Sequence, residues 1–329
     1  MKKSGHFVIF IVAAFILAIL AGSAQAGVYW PEKWWPSKWG ADDEKGSFNT
    51  ITPEKIMSAL QLVKTGKVYR MGRPYEKGMP LFGKRTYAIT IPGLPTGGPF
   101  GNNGLVWNDE FICGELGQIG TQFDAPGHVG IRGKDGVDRW YNGRALATMD
   151  STYGFPKNGP EKLGPCVTRG VLIDVAGLKG VSAMKKGEVI TPADIEACIS
   201  KAGIAPIGEG DAVIFHTGWG KYWKTDVPLY NSGCPGIGIA AARYLVGRNV
   251  SMLGADTWPV EAIPGEDPDG AFDVHNYMQT VNGLWQIENL DNEPMKEMIR
   301  DGVYEFLWIY IPVPFAGATG SPGEPIAIR

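Results

Sequence analysis

A mixed-sheet α/β domain is what this chain predicts, on three observations. Short apolar runs rich in β-branched and aromatic residues recur at 171–175, 211–216, 250–255 and 304–311, the composition of buried strands. Segments of helical periodicity lie among them, two of them opened by a Thr-Pro pair, at Thr52-Pro53 and Thr191-Pro192, where the proline's missing N–H costs nothing. Strands and helices follow no regular βαβ alternation, which argues against a doubly wound parallel sheet.

In chain order, Lys2 and Lys3 precede an apolar run over 7–20, and Ala24-Gln25-Ala26 follows. A basic start, a short apolar stretch and an A-x-A site describe a secretory signal peptide, residues 1–26, that leaves a mature chain beginning at Gly27. Fourteen residues fall short of the roughly 20 needed to span a bilayer, so an uncleaved anchor is the weaker reading. Without the signal, 31 − 2 = 29 basic side chains face 34 acidic ones, a net charge of −5. That balance excludes nucleic acid as a partner. An exported protein, periplasmic or secreted, with no stable membrane insertion after cleavage, is expected.

Residues 28–39 carry Trp30, Trp34, Trp35 and Trp39 among prolines. They read as an arm stapled to the domain by aromatic burial, or as a share of a substrate pocket. From Thr52 the apolar residues Ile56, Ala59, Leu60 and Val63 share one helical face and Gly66 ends the helix. Strands are predicted at 68–71 and 87–91. Residues 92–104, rich in Gly and Pro, form a mobile lid or substrate loop, with no phosphate-binding pattern.

Later elements are a strand at 171–175, a helix from Thr191 to Gly203, a strand at 211–216, a helix at 239–246 and a strand at 250–255. They continue as a helix at 274–280, a short strand at 284–287, a helix at 293–300 and a strand at 304–311. Five carboxylates among Gly and Pro at 261–273 lack EF-hand spacing and read as a solvated loop. Cys113, Cys166, Cys198 and Cys234 form no C-x-x-C pair; spacing leaves free thiols and disulfides equally open. The candidate site residues run from 118 to 288 with no linker between them, so residues 27–329 are expected to form one domain.

The chemistry concentrates at 118–128, Gln-Ile-Gly-Thr-Gln-Phe-Asp-Ala-Pro-Gly-His. Gln118, Gln122 and Asp124 can each offer an oxygen to a divalent cation, and His128, beyond a Pro-Gly bend, can act as a base or a further ligand. This stretch resembles the signature His-x-Gly-Thr-His-x-Asp-x-Pro-x-His of the metal-dependent hydrolases called the cyclase family, which includes bacterial kynurenine formamidases and isatin hydrolases. It matches at Gly120, Thr121, Asp124, Pro126 and His128. Gln118 and Gln122 stand where the family usually has metal-binding histidines, a variant similar to the branch containing trans-dienelactone hydrolases.

The resemblance implies a swivelling β/β/α architecture. It also implies metal ligation by Gln118, Gln122 and Asp124, with His275 and Glu288 added from a distant helix, Gly turn and strand, and Asp124 bridging if two ions bind. His128 is the implied general base, and the implied partner is a small-molecule carbonyl substrate, an amide, cyclic amide or lactone. Glutamine oxygens in place of imidazole make a harder, weaker site and move preference from zinc towards manganese or magnesium; manganese or zinc is the expected ion, with magnesium admissible. Homo-oligomers in which neighbouring chains close the pocket are implied too; the tryptophans of the N-terminal arm could serve that contact. His216, before Thr217-Gly218-Trp219, reads as a pocket residue or as a hydrogen-bonded structural one, and Trp219 is a pocket candidate beside it. Asp256 is expected near the site without an assigned role. No Gly-x-Ser-x-Gly elbow is present, which disfavours a serine nucleophile. A non-catalytic binding protein on the same fold is the alternative to an enzyme.

Overall fold

The computed structural model describes residues 30–329, so the signal-peptide reading of residues 1–26 lies outside the described residues. Its centre is a nine-stranded mixed sheet. Numbered in chain order within that sheet, the strands are β1 Val68–Arg70, β2 Gln122–Asp124, β3 Cys166–Asp174, β4 Ala212–His216, β5 Met252–Ala255, β6 Trp285–Glu288, β7 Glu305–Tyr310, β8 Gly320–Pro322 and β9 Ile326–Ile328. Across the sheet they run β1-β9-β7-β3-β4-β5-β6-β2-β8. The middle four, β3 to β6, are parallel, and the strands outside them pair antiparallel. This is the mixed-sheet architecture expected.

The parallel block is apolar on both faces because both are covered. Along β3 and β4, Leu172, Ala212 and Ile214 point into a core built around Trp285, Trp308, Phe306 and Phe123. Their neighbours Val171, Ile173, Val213 and Phe215 point the other way. There they meet Ile195, Cys198 and Ile199 of the helix Pro192–Ala202 and Ala241, Ala242 and Leu245 of the helix Ile239–Gly247. The first of these helices opens with a reciprocal capping box between Thr191 and Asp194 and ends at Gly203 in the left-handed conformation, as its sequence signals require.

Several expectations are corrected. The helix begun by Thr52 stops at Leu60, before Gly66. Residues 92–104, expected as a mobile lid or substrate loop, carry regular structure: Gly97–Phe100 and Leu105–Trp107 pair as a hairpin, beyond a ladder of Tyr87–Thr90 with Phe111–Gly114. The helix expected at 274–280 is one α-turn, Asp273–His275, continued as a π-helix, Asn276–Val281. All four cysteines are free. Among the described residues no helix is long and apolar enough to cross a membrane. The tryptophan arm is stapled to its own chain: Trp35 lies over Gly143 and the Arg139 guanidinium, and Asn142 donates to the carbonyls of Gly40, Ala41 and Asp43.

At the carboxyl ends of β3 and β4, Asp174 and His216 are register partners. His216 Nδ1 lies 2.7 Å from Asp174 Oδ1, and its Nε2 lies 2.9 Å from Asn292 Oδ1. Asp174 also caps the helix Val175–Lys179 through Gly177 N at 2.9 Å. Burial opposes both charges, yet the pairing wins: His216 is held above its ordinary 6.5 and Asp174 below its ordinary 3.8. The raised His216 gives stability that is complete below 6.5 and lost as pH rises through its folded value; the depressed Asp174 gives stability that is complete above 3.8 and lost as pH falls. His216→Ala should therefore cost about 3–5 kcal/mol near pH 5, the usual loss on breaking a buried pair, and less at pH 9. Urea unfolding at both pH values checks this, and an equal cost at each would refute the ion pair.

Candidate metal centre and active-site cleft

The site forms where the antiparallel edge β2 meets the parallel block. β2 pairs with β6 so that Gln122 faces Glu288 and Asp124 faces Gln286. Opposed residues in such a pair project to the same side, as do residues two apart along a strand. Four polar side chains are thereby set on one face, while Phe123, Trp285 and Ile287 fill the core behind. Gly120, just ahead of β2, has φ +61°, and a Cβ there would lie 2.8 Å from the Tyr75 ring; glycine alone suits that conformation and approach. Thr121 donates to Asn289 O at 2.8 Å and accepts from Arg73 N at 2.9 Å, locking the start of the strand.

Asp124, His275 and Glu288 converge, each able to present one ligand atom within 4.8 Å of the others. His275 Nε2 is 3.2 Å from Glu288 Oε1 and 3.8 Å from Asp124 Oδ2. The other ring nitrogen, Nδ1, meets Glu261, whose carboxylate also accepts the backbone N–H of His275 at 3.0 Å and of Val274 at 3.3 Å. Glu261 corrects the solvated-loop reading of 261–273, since it is 2% exposed and orients the imidazole. One turn on, Gln279 Nε2 donates to Asp124 Oδ2 at 3.1 Å.

Three buried carboxylates thus surround one imidazole, and no Lys or Arg of the described residues is paired with them. Burial disfavours the His275 cation, but Glu261 and Glu288 overrule it and raise its pKa to about 10. Burial and the Asp124 charge push Glu288 well above the carboxylate range. Asp124 Oδ1, Gln279 Oε1 and both amide atoms of Gln286 are buried without a hydrogen-bond partner. Concentrated excess negative charge and orphaned oxygens are what a cation would satisfy.

The glutamines sit differently from one another. Gln122 Nε2 donates to Glu288 Oε2 at 2.8 Å, and its oxygen is 3.5 Å from Asn289 Nδ2. Gln118 is half-buried, accepting from Arg85 at 3.3 Å and donating to Thr319 O at 3.4 Å. His128 is half-buried, with Nε2 3.9 Å from Asp124 Oδ2. Burial lowers its pKa from 6.5 against the opposing charge of Asp124, so it is neutral and able to accept a proton at neutral pH.

A cleft of about 300 Å³ opens onto these groups, walled by Phe82, Arg85, His128, Trp258, Phe272 and His275. Phe82 stacks on Trp258 with centroids 4.2 Å apart. Phe272 has a left-handed backbone, φ 54°, an unusual conformation for a bulky residue and one met at functional sites.

His216, Trp219 and Asp256 do not line this cleft. His216 serves the Asp174 pair, the structural alternative. Trp219 is 3% exposed and donates to Tyr230 O at 3.4 Å. Asp256 accepts from Thr217 N at 2.9 Å, Thr217 Oγ1 at 2.6 Å and Gly220 N at 3.1 Å, bracing the turn beyond β4. Sequence reasoning missed Arg85, Glu261, Gln279 and Gln286; only the spacing of Gln279, four residues past His275, carried a signal, since it sets both on one helical face.

The chain matches the putative cyclase family over residues 69–262, more than half its length. No curated protein is detectably similar in sequence. A solved structure described as a novel cyclase shares 29% identity at a TM-score of 0.78, covering 89% of this chain and 98% of that one. Isatin hydrolase A from Ralstonia solanacearum shares 21% at 0.58, covering 85% and 99%. Isatin hydrolase A from Labrenzia aggregata, bound to benzyl benzoate, shares 20% at 0.56, covering 83% and 97%. The family match, on a chain whose Asp124, His275 and Glu288 converge beside His128, places this protein in the putative cyclase family.

Proposed function

We propose that this protein is an exported, divalent-metal-dependent hydrolase that opens an amide, cyclic amide or lactone bond. The observation that carries the reading is the buried cluster of Asp124, His275 and Glu288 with its uncompensated negative charge and orphaned Asp124 oxygen. These three residues would hold the metal. Two carboxylates and an imidazole, with neutral amides around them, suit manganese or zinc. When bound there, a divalent ion lowers the pKa of a water towards about 7 and polarises a carbonyl oxygen.

The chain's own groups supply the rest. Neutral His128, at the mouth of the cluster, accepts the proton of the attacking water and returns it to the leaving nitrogen or oxygen. Glu261 fixes the ring orientation of His275. Arg85, on the cleft wall, presents guanidinium N–H donors towards the oxygen on which negative charge develops. Phe82, Trp258 and Phe272 hold the organic part of the substrate out of water. The basic start, apolar run and A-x-A site of residues 1–26 support export.

One observation favours the alternative of a non-catalytic binding protein. Both glutamines are engaged in hydrogen bonds, Gln118 with Arg85 and Gln122 with Glu288. His128 weighs against that alternative, because binding alone does not need a base there.

The test is hydrolysis by the chain from Gly27, with manganese or zinc and against a chelator, of N-formylkynurenine, isatin and a trans-dienelactone. Metal-dependent turnover of one of them supports the hydrolase; a protein that binds no metal and hydrolyses none of them refutes it. His128→Ala is expected to lower kcat about a hundredfold or more while retaining metal, and unchanged kcat would remove His128 as the base. Glu261→Gln should weaken metal affinity about 10–100-fold, the usual effect of losing a partner that orients a ligand. Competition with a chromogenic chelator measures this without reference to turnover, and wild-type affinity in the variant would leave Glu261 without the orienting role.

A further inference from the structure

One wall of the cleft carries hydrogen-bond donors in surplus. Arg85 is half-buried, donates one hydrogen bond, to Gln118 Oε1 at 3.3 Å, and lies over the Phe82 ring with its guanidinium carbon 5.8 Å from the centroid. It forms no ion pair with a carboxylate of the described residues. Trp258, on which Phe82 stacks, is 8% exposed, and its Nε1 is buried without an acceptor. The amides beside them are already committed: Asn231 Nδ2 donates to Leu81 O at 3.1 Å, Asn289 Nδ2 to Gly120 O at 2.8 Å and Gln122 Nε2 to Glu288 Oε2 at 2.8 Å. Arg85, Gln118, Gln122, Asn231, Trp258 and Asn289 line one recess of about 10 Å³, the size of a water or of one carboxylate oxygen. What that recess leaves unfilled is a guanidinium and an indole N–H, both donors, and withdrawing donors from water without acceptors is costly.

We propose that Arg85 anchors an anion subsite, so that the substrate is an amide or lactone carrying a carboxylate close to its scissile bond. The inference rests on the hydrolase reading and narrows its substrate class. Three observations select a carboxylate among anions. The fork of a guanidinium matches the two oxygens of a planar carboxylate. The recess has room for one oxygen, too little for a phosphate or sulfate group to turn its several oxygens inward. Asp124 and Glu288 stand close by, and an anion of higher charge would meet stronger repulsion from them. Arg85 walls the same cleft of about 300 Å³ as His128, His275 and Glu288, so the carboxylate must sit within a few bonds of the reacting carbonyl. Phe82, Trp258 and Phe272 flank that space, which suits a carboxylate borne on a flat ring. A guanidinium has five N–H donors; Gln118 takes one and a carboxylate two, which leaves donors for the oxygen on which charge develops.

Two pairs of compounds that differ by one charge test this on the mature chain. In calorimetric titration, with and without manganese, benzoate should bind about tenfold or more tighter than benzyl alcohol. Arg85→Met should weaken benzoate by a similar factor, without weakening benzyl alcohol and with manganese content at the wild-type level. In turnover with manganese, 2-formamidobenzoate should exceed formanilide, the same amide without the carboxylate, by about tenfold or more in kcat/KM. That ratio should fall about tenfold in Arg85→Met, whatever happens to the two rates separately. Benzoate binding that requires manganese and is indifferent to Arg85→Met would show that the metal alone holds carboxylates, and would overturn the subsite. So would equal kcat/KM for the two formamides in the unmodified protein, or a ratio that the substitution leaves unchanged. Hydrolysis of neither formamide, together with benzoate binding that depends on Arg85, would uphold the anion subsite while counting against the hydrolase.

Discussion

An unbalanced charge governs the centre of this molecule. Asp124, Glu261 and Glu288 are buried around His275, and bringing carboxylates out of water without cations is expensive. Their arrangement is tolerable only if protons or a metal ion compensate. The raised values of His275 and Glu288 express that demand. Much of the surrounding fold can be understood as the frame that holds these groups together against their repulsion.

The frame is the seam where a parallel block passes into antiparallel edges. Parallel strands buried on both faces leave little freedom in their hydrogen-bond register, and β6, at the end of that block, fixes where β2 can pair. Because a slip of one residue would turn every side chain of β2 to the opposite face, the apolar Phe123 between Gln122 and Asp124 is as necessary as the polar residues. Asn289 and Thr121 close the seam from the side: Asn289 Nδ2 donates to Gly120 O at 2.8 Å, and Tyr230 donates to Asn289 Oδ1 at 2.7 Å.

Much of this was legible in the sequence because the relevant signals are local. Thr52-Pro53, Thr191-Pro192 and the apolar runs of β3, β4, β5 and β7 each announce an element through their own residues. Asp124, His128, His275 and Glu288 could be singled out by motif and context. What could not be read depends on partners distant in the chain. β9 has only three residues and is a strand because β7 and β1 flank it. Glu261 lies in an acidic, Gly/Pro-rich stretch whose composition says solvent, and its burial is decided by His275, fourteen positions later. Arg85 and Gln286 have no pattern of their own. His216 had a structural and a pocket reading of equal standing in the sequence, and Asp174 and Asn292 decide for the first.

The π-helix Asn276–Val281 has a consequence for how this site can change over evolution. It carries a wider turn than an α-helix, a form that often marks functional positions, and it begins immediately after His275, with Gln279 within it. A turn closed from i to i+5 holds one residue more than an α-turn, so removing one residue there is absorbed by a return to regular winding, whereas the same removal from a regular helix would rotate everything downstream by about 100°. What such a deletion changes is the placement of Gln279 relative to His275 and Asp124. Length in this short segment is therefore a way to retune the site, because losing a residue tightens the turn without turning the strand that follows.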